Sequence, residues 1–148
     1  MYDLSRFKKA QERDYPSALA EIRSGRKRSH WIWYVFPQLK ALGHSGNAKY
    51  YGMEDLAEAR AYMADPLLRR RLIEISEALL ALDLSDPLAV MGSPDDLKLR
   101  SCMTLFREAD PKTEVFGKVL DKFFDGKADE KTLKLVREQQ RRDKEGTW

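Results

Sequence analysis

At 148 residues the chain is long enough to bury a core without disulfide or metal support, and its 43% hydrophobic residues exclude global disorder. Lys and Arg number 27 against 24 Asp and Glu, a net charge of +3, which excludes the large basic field of a dedicated nucleic-acid binder. A lone Cys102 and only two histidines, His30 and His44, exclude an intramolecular disulfide and a thiolate-rich zinc site.

In chain order, Asp3 can cap a first helix that carries Leu4, Phe7, Ala10 and Gln11 on one face. The first residues are charged and hold no apolar core of signal-peptide length. Pro16 suits the first position of a second helix, with Ala18, Leu19 and Ile22 following before Gly25 stops the run. Residues 30–36, His-Trp-Ile-Trp-Tyr-Val-Phe, have the composition of a strand. No second strand of similar quality exists to pair with them, so they read as a short buried helix, capped by Ser29 and ended by Pro37. This apolar run falls far short of the roughly 18 residues that a membrane span needs. Residues 43–52 read as a Gly-rich polar loop of the kind that borders binding sites. Tyr62, beside Arg60, reads as amphipathic surface.

Farther along, Asp65-Pro66 opens a long helix with Leu68, Leu72, Ile75, Leu79 and Leu82 as one stripe. Asp86-Pro87 opens a short one ending at Gly92. Ser93 can cap a helix with Pro94 in its first turn and Asp95 and Asp96 against the positive helix end. That helix is apolar on two sides and therefore central, which buries the Ser101 and Thr104 hydroxyls against carbonyls one turn back. Asp96 and Arg100, four apart, make a surface pair, and Cys102 is an inert core thiol. Phe116, Val119, Leu120 and Phe123 form a further helix closed by Gly126. Asp129 caps the last one, with Leu133 and Val136 inward and Arg137, Arg141, Arg142 and Lys144 toward its C-terminal end, where cations suit the dipole. The expectation is an all-α domain over 1–148 of six to eight short helices, packed as an α-superhelix or orthogonal bundle, with 137–148 a basic helix end or tail.

The richest segment chemically is Arg26-Lys27-Arg28-Ser29-His30-Trp31. Cations beside a capped helix start can converge with free backbone N–H groups on one phosphate or carboxylate. Trp31 and Trp33 can wall a ring, and His30, with its unperturbed pKa near neutrality, is the candidate acid or base. Against this stands the bland assignment of solvated cations, core tryptophans and a structural histidine.

The string RKRSHWIWYVFPQLKALGHS, the later DDLKLRSCMTLF and the F-x-x-V-L-D-K-F-F-x-G stretch, in that order, resemble the bacterial domain-of-unknown-function 1810 family over about residues 4–135. The resemblance implies an all-α fold of short helices and no established activity. Cys102 stands where the family often carries a second serine, and the calpastatin-like label given to some members finds no inhibitory repeat here. A structural analogy to small all-α domains with an aromatic-basic cleft points toward ADP-ribose derivatives.

The leading expectation is a pocket between residues 29–38 and 98–106 that binds a small anionic, nucleotide- or ADP-ribose-like metabolite. Arg26, Lys27, Arg28 and Lys98 supply charge, Ser29, Gln38 and Ser101 hydrogen bonds, and Trp31, Trp33 and Phe106 walls. His30 is the acid or base of any reaction, and no metal or cofactor is called for. The competitors are a non-catalytic interaction or regulatory domain and, less in keeping with the balanced charge, RNA binding through 26–28, 69–71 and the tail. The expected setting is cytoplasmic, with no membrane partner.

Overall fold

Acids placed one or a few residues ahead of helices set many of the starts. Asp65 Oδ1 accepts the N–H groups of Leu67 and Leu68, Asp86 accepts that of Leu88, and Asp129 Oδ2 accepts that of Thr132 at 3.0 Å. A proline at the first helical position follows Asp65 and Asp86, where its missing N–H is harmless. The computed structural model describes residues 2–146. Among them lie nine α-helices: α1 (Ser5–Arg23), α2 (Ile32–Val35), α3 (Gly46–Tyr51), α4 (Leu56–Ala64), α5 (Pro66–Leu80), α6 (Pro87–Met91), α7 (Asp95–Ala109), α8 (Val115–Phe124) and α9 (Glu130–Gly146). A 3-10 turn at Lys40–Leu42 and one isolated parallel bridge, Leu39 to Met53, complete the ordered backbone. None of these helices is long and apolar enough to cross a membrane. The last two residues of the basic tail expected over 137–148 lie outside the described residues.

Helix α7 is the centre, as its two apolar sides require: Leu99, Cys102, Met103, Leu105 and Phe106 are wholly buried. An aromatic ladder crosses it. Phe7 of α1 meets Tyr62 of α4 edge-on at 5.3 Å, Tyr62 meets Phe106 at 5.2 Å, and Phe106 meets Phe116 of α8 at 6.0 Å. The α5 stripe of Leu68, Leu72, Ile75 and Leu79 faces this core, and Lys122 of α8 donates to the Leu79, Leu80 and Leu82 carbonyls at the end of α5.

Several expectations are corrected. Pro16 does not begin a helix: it sits inside α1, on the exposed side. The buried stripe Phe7, Gln11, Tyr15, Ala18 and Ile22 runs through it unbroken, so burial of that face outweighs the lost hydrogen bond. Tyr62 is core rather than surface, because Gln11 Nε2 donates to its hydroxyl at 2.9 Å and satisfies the one polar atom it buries. Residues 46–51 form α3 rather than loop, started by Ser45, whose hydroxyl accepts the Ala48 N–H at 3.1 Å. Ser93 does not cap α7, where Pro94 takes the cap position without a side-chain bond. Arg100 does not pair with Asp96. It donates instead to the Lys127 and Ala128 carbonyls at 2.8 and 2.9 Å, just past the end of α8.

Candidate functional site

The basic segment after α1 does gather donors onto an anion, and the anion is the protein's own. Glu21 accepts the backbone N–H groups of Arg28 and Ser29 at 2.6 and 2.8 Å, the Ser29 hydroxyl at 2.7 Å and the Trp31 indole N–H at 3.1 Å. Partial burial works against its charge, but the donations from Ser29, Arg28 and Trp31 outweigh it and hold the Glu21 carboxyl down to about 2. Ser29 is thereby engaged with Glu21 and does not cap α2, which begins at Ile32 after an uncapped Trp31. Lys27 is also committed: its ammonium lies 2.8 Å from Asp95 with the side chain 5% exposed, and 4.8 Å from the Trp31 ring centroid. Arg26, Arg28 and His30 stand exposed.

A separate cleft of about 600 Å³ opens where residues 38–48 face the first turns of α7 and α9. Gln38, Lys98 and Ser101 line it together, although 60 residues of chain separate the first two. Lys98 Nζ lies 5.3 Å from the ring centroid of Trp33 and 3.8 Å from Asp95, too far for a hydrogen bond, with the side chain a quarter exposed. Ser101 Oγ reaches the Leu97 carbonyl at 3.1 Å and Asp129 Oδ2 at 3.3 Å. Thr104 Oγ1 donates to the Arg100 carbonyl at 2.8 Å and accepts the Asp129 N–H at 2.9 Å. Both hydroxyls thus use the carbonyl one turn back, and Thr104 also fixes the start of α9 as one side of the cleft.

The structure therefore divides the expected site residues. Gln38, Lys98 and Ser101 share the cleft, and Trp33 lies beside it through Lys98. Trp31 and Phe106 are core, no more than 1% exposed, and supply no free wall. Arg26, Lys27, Arg28, Ser29 and His30 are absent from the cleft lining. The polar residues that line it and went unassigned in the sequence include His44, Arg100, Asp129, Glu130 and Lys131, so carboxylates as well as cations border the cleft. The polar 43–52 stretch was a signal for His44, whereas Lys131 reads in sequence as one more charge on a solvated helix. Cys102 is buried and burial pushes its thiol well up, consistent with an inert side chain. A larger groove of about 860 Å³ runs along α5 past Arg23, Arg69 and Arg70. There, Arg69 is already held by Asp110 at 2.7 Å and Thr113 at 3.0 Å, and Glu74 by the Tyr15 hydroxyl.

The family model described as protein of unknown function (DUF1810) matches residues 1–136. The chain belongs to that family. It is also similar to the conserved hypothetical protein Rv1873 of Mycobacterium tuberculosis, whose crystal structure at 1.38 Å shares 43% sequence identity with it at a TM-score of 0.90. The alignment covers 92% of this chain and 97% of that one, so over the aligned residues this DUF1810 protein shares the fold of that relative. No curated protein matches the chain.

Proposed function

We propose that this DUF1810 protein binds a small anionic metabolite, of the phosphate-bearing class that includes nucleotides and ADP-ribose derivatives, in the cleft between residues 38–48 and the starts of α7 and α9. The observation that carries this reading is the state of Lys98. Its ammonium faces the cleft over the Trp33 ring with no carboxylate at hydrogen-bond distance, so an incoming anion meets a charge that is already positioned. Lys131 and His44 add donors from the other walls, and the Gln38 amide adds a neutral one. Leu42 and Leu97 leave an apolar surface for the uncharged part of a ligand. The exposed Arg26 and Arg28 contribute attraction at longer range, which salt screens.

Thermal melting tests the reading, with inorganic phosphate, pyrophosphate, AMP and ADP-ribose added to the wild type and to Lys98→Ala. A ligand at about 100 times its dissociation constant adds about 2.7 kcal/mol, worth a few degrees in a domain of this size. The expected result is a selective shift that Lys98→Ala loses while melting cooperatively by itself. Absence of any shift removes the reading in favour of a non-catalytic interaction domain, for which the groove of about 860 Å³ along α5 is the available surface.

A further inference from the structure

Beside Lys98 the protein keeps a hydrogen-bond donor that none of its own atoms uses. The indole nitrogen of Trp33 is buried and has no partner, whereas that of Trp31 donates to Glu21. A buried N–H left without an acceptor destabilises the fold, and native structures supply a partner for nearly all such groups. Trp33 also lines a recess of about 10 Å³, together with Phe36, Gln38, Gly52 and Lys98. That volume admits one group the size of a water molecule. The recess adjoins the cleft, since Gln38, Ala48 and Lys98 line both. It cannot widen easily on the Gly52 side, where the backbone already packs so closely that a Cβ would fall 2.4 Å from Lys40 Cα.

We infer that the anion taken by this cleft carries an uncharged acceptor oxygen next to its charged group, as acyl phosphates and phosphorylated amides do, and that Trp33 is the residue that selects it. The inference rests on the anion-binding reading above and narrows its ligand class. Lys98 takes the charged end. Its ammonium lies 5.3 Å from the centre of the Trp33 ring, so one small ligand can touch both side chains. The Gln38 amide stands in the same recess as a second polar neighbour for that oxygen. An anion without the extra oxygen leaves the indole unsatisfied and binds more weakly.

The test uses two stable dianions of matching size and branching, phosphonoacetamide and 2-methylpropylphosphonate, titrated calorimetrically at a pH where both are fully ionised. Wild type should favour phosphonoacetamide by about tenfold. Trp33→Phe keeps a ring under Lys98 but removes the N–H, and the preference should fall to about one. In the wild type, the Trp33 indole proton resonance should move downfield with phosphonoacetamide alone, a readout that stands even where Trp33→Phe does not fold. Equal binding of both dianions with an unmoved indole signal means a resident water only; it overturns the inference and leaves the anion-binding reading intact. Binding of inorganic phosphate through Lys98 with neither dianion bound has the same meaning. Failure of every anion, including those of the melting series, removes both.

Discussion

Glu21, near the end of α1, accepts the indole N–H of Trp31 at 3.1 Å across ten residues of chain. The same carboxylate holds the Arg28 and Ser29 amides and the Ser29 hydroxyl, so one side chain organises the whole turn that carries the chain from α1 into the core. Gly25 makes the turn possible: its φ of 87° lies in the left-handed region, where a Cβ is strained. A segment whose composition suggests capture of an external anion is, in the folded chain, a clasp for an internal one.

The clasp makes stability depend on pH in a defined direction. Glu21 has its folded pKa depressed from 4.5 to about 2, so its stabilisation is fully present above pH 4.5 and is lost as pH falls toward 2. Glu21→Gln should cost about 1–2 kcal/mol at neutral pH, the scale of hydrogen bonds to a charged acceptor moderated by partial exposure. Urea unfolding followed from pH 7 down to pH 2 should show the wild-type and variant curves converging at the acid end. Curves that stay parallel would mean that the carboxylate contributes through shape alone.

Much of the architecture was legible from local chemistry. Asp65-Pro66, Asp86-Pro87 and Asp129 set helix starts through interactions within three residues, and the two-sided apolar pattern around Leu99 and Phe106 marked α7 as central. What escaped depended on distant partners. Pro16 resembles a helix start until the buried stripe on either side of it is seen to face one core. Tyr62 resembles a surface residue until Gln11, 51 residues away, satisfies its hydroxyl. The cleft divides in the same way: Gln38, Lys98 and Ser101 belong to the two segments that the sequence already paired as one pocket. His44, Asp129 and Lys131 join them only through the packing of residues 38–48 and α9 against α7, which no local pattern encodes.

Lys27 and Asp95 join the clasp to α7 at 2.8 Å, with side chains 5% and 18% exposed. Removing one partner from a buried pair strands the other charge, which costs about 3 kcal/mol, whereas removing both costs much less than the sum. Lys27→Met and Asp95→Asn should therefore each destabilise by about that amount, and the double variant should be no worse than either one. A double variant whose loss equals the two single losses added would show that the pair carries no coupling and that Lys27 acts through its contact with Trp31.

Two glycines beside the cleft should respond oppositely to the same change. At Gly46, in the first turn of α3, an added Cβ meets nothing within 4 Å and φ is not positive. Gly46→Ala should stabilise by about 0.5–1 kcal/mol through the lost freedom of the unfolded chain. At Gly52 an added Cβ would lie 2.4 Å from Lys40 Cα and 2.6 Å from the Ala48 carbonyl oxygen, both backbone atoms that cannot turn aside. Gly52→Ala should cost about 3 kcal/mol by forcing apart the 3-10 turn and the end of α3. Chemical denaturation of both variants decides it, and a Gly52→Ala protein of wild-type stability would contradict the close packing.

The division between clasp and cleft predicts how two cationic regions differ toward anions. His30, Arg26 and Arg28 are exposed and outside the cleft lining, whereas Lys98 and Lys131 line it. Neutralising Arg26 and Arg28 together removes long-range attraction only, so any anion affinity at low salt should fall about two- to threefold and the deficit should vanish at 1 M salt, where screening reaches about 3 Å. Lys98→Ala removes a contact inside the cleft, and its loss of tenfold or more should persist at high salt, as befits a hydrogen-bonded charge. His30→Ala should leave affinity unchanged under both conditions. The comparison is made by titrating pyrophosphate into each variant at both salt concentrations. A loss that follows Arg26, Arg28 and His30 rather than Lys98 would return the site to the segment after α1 and require Glu21 to yield its donors to the incoming anion.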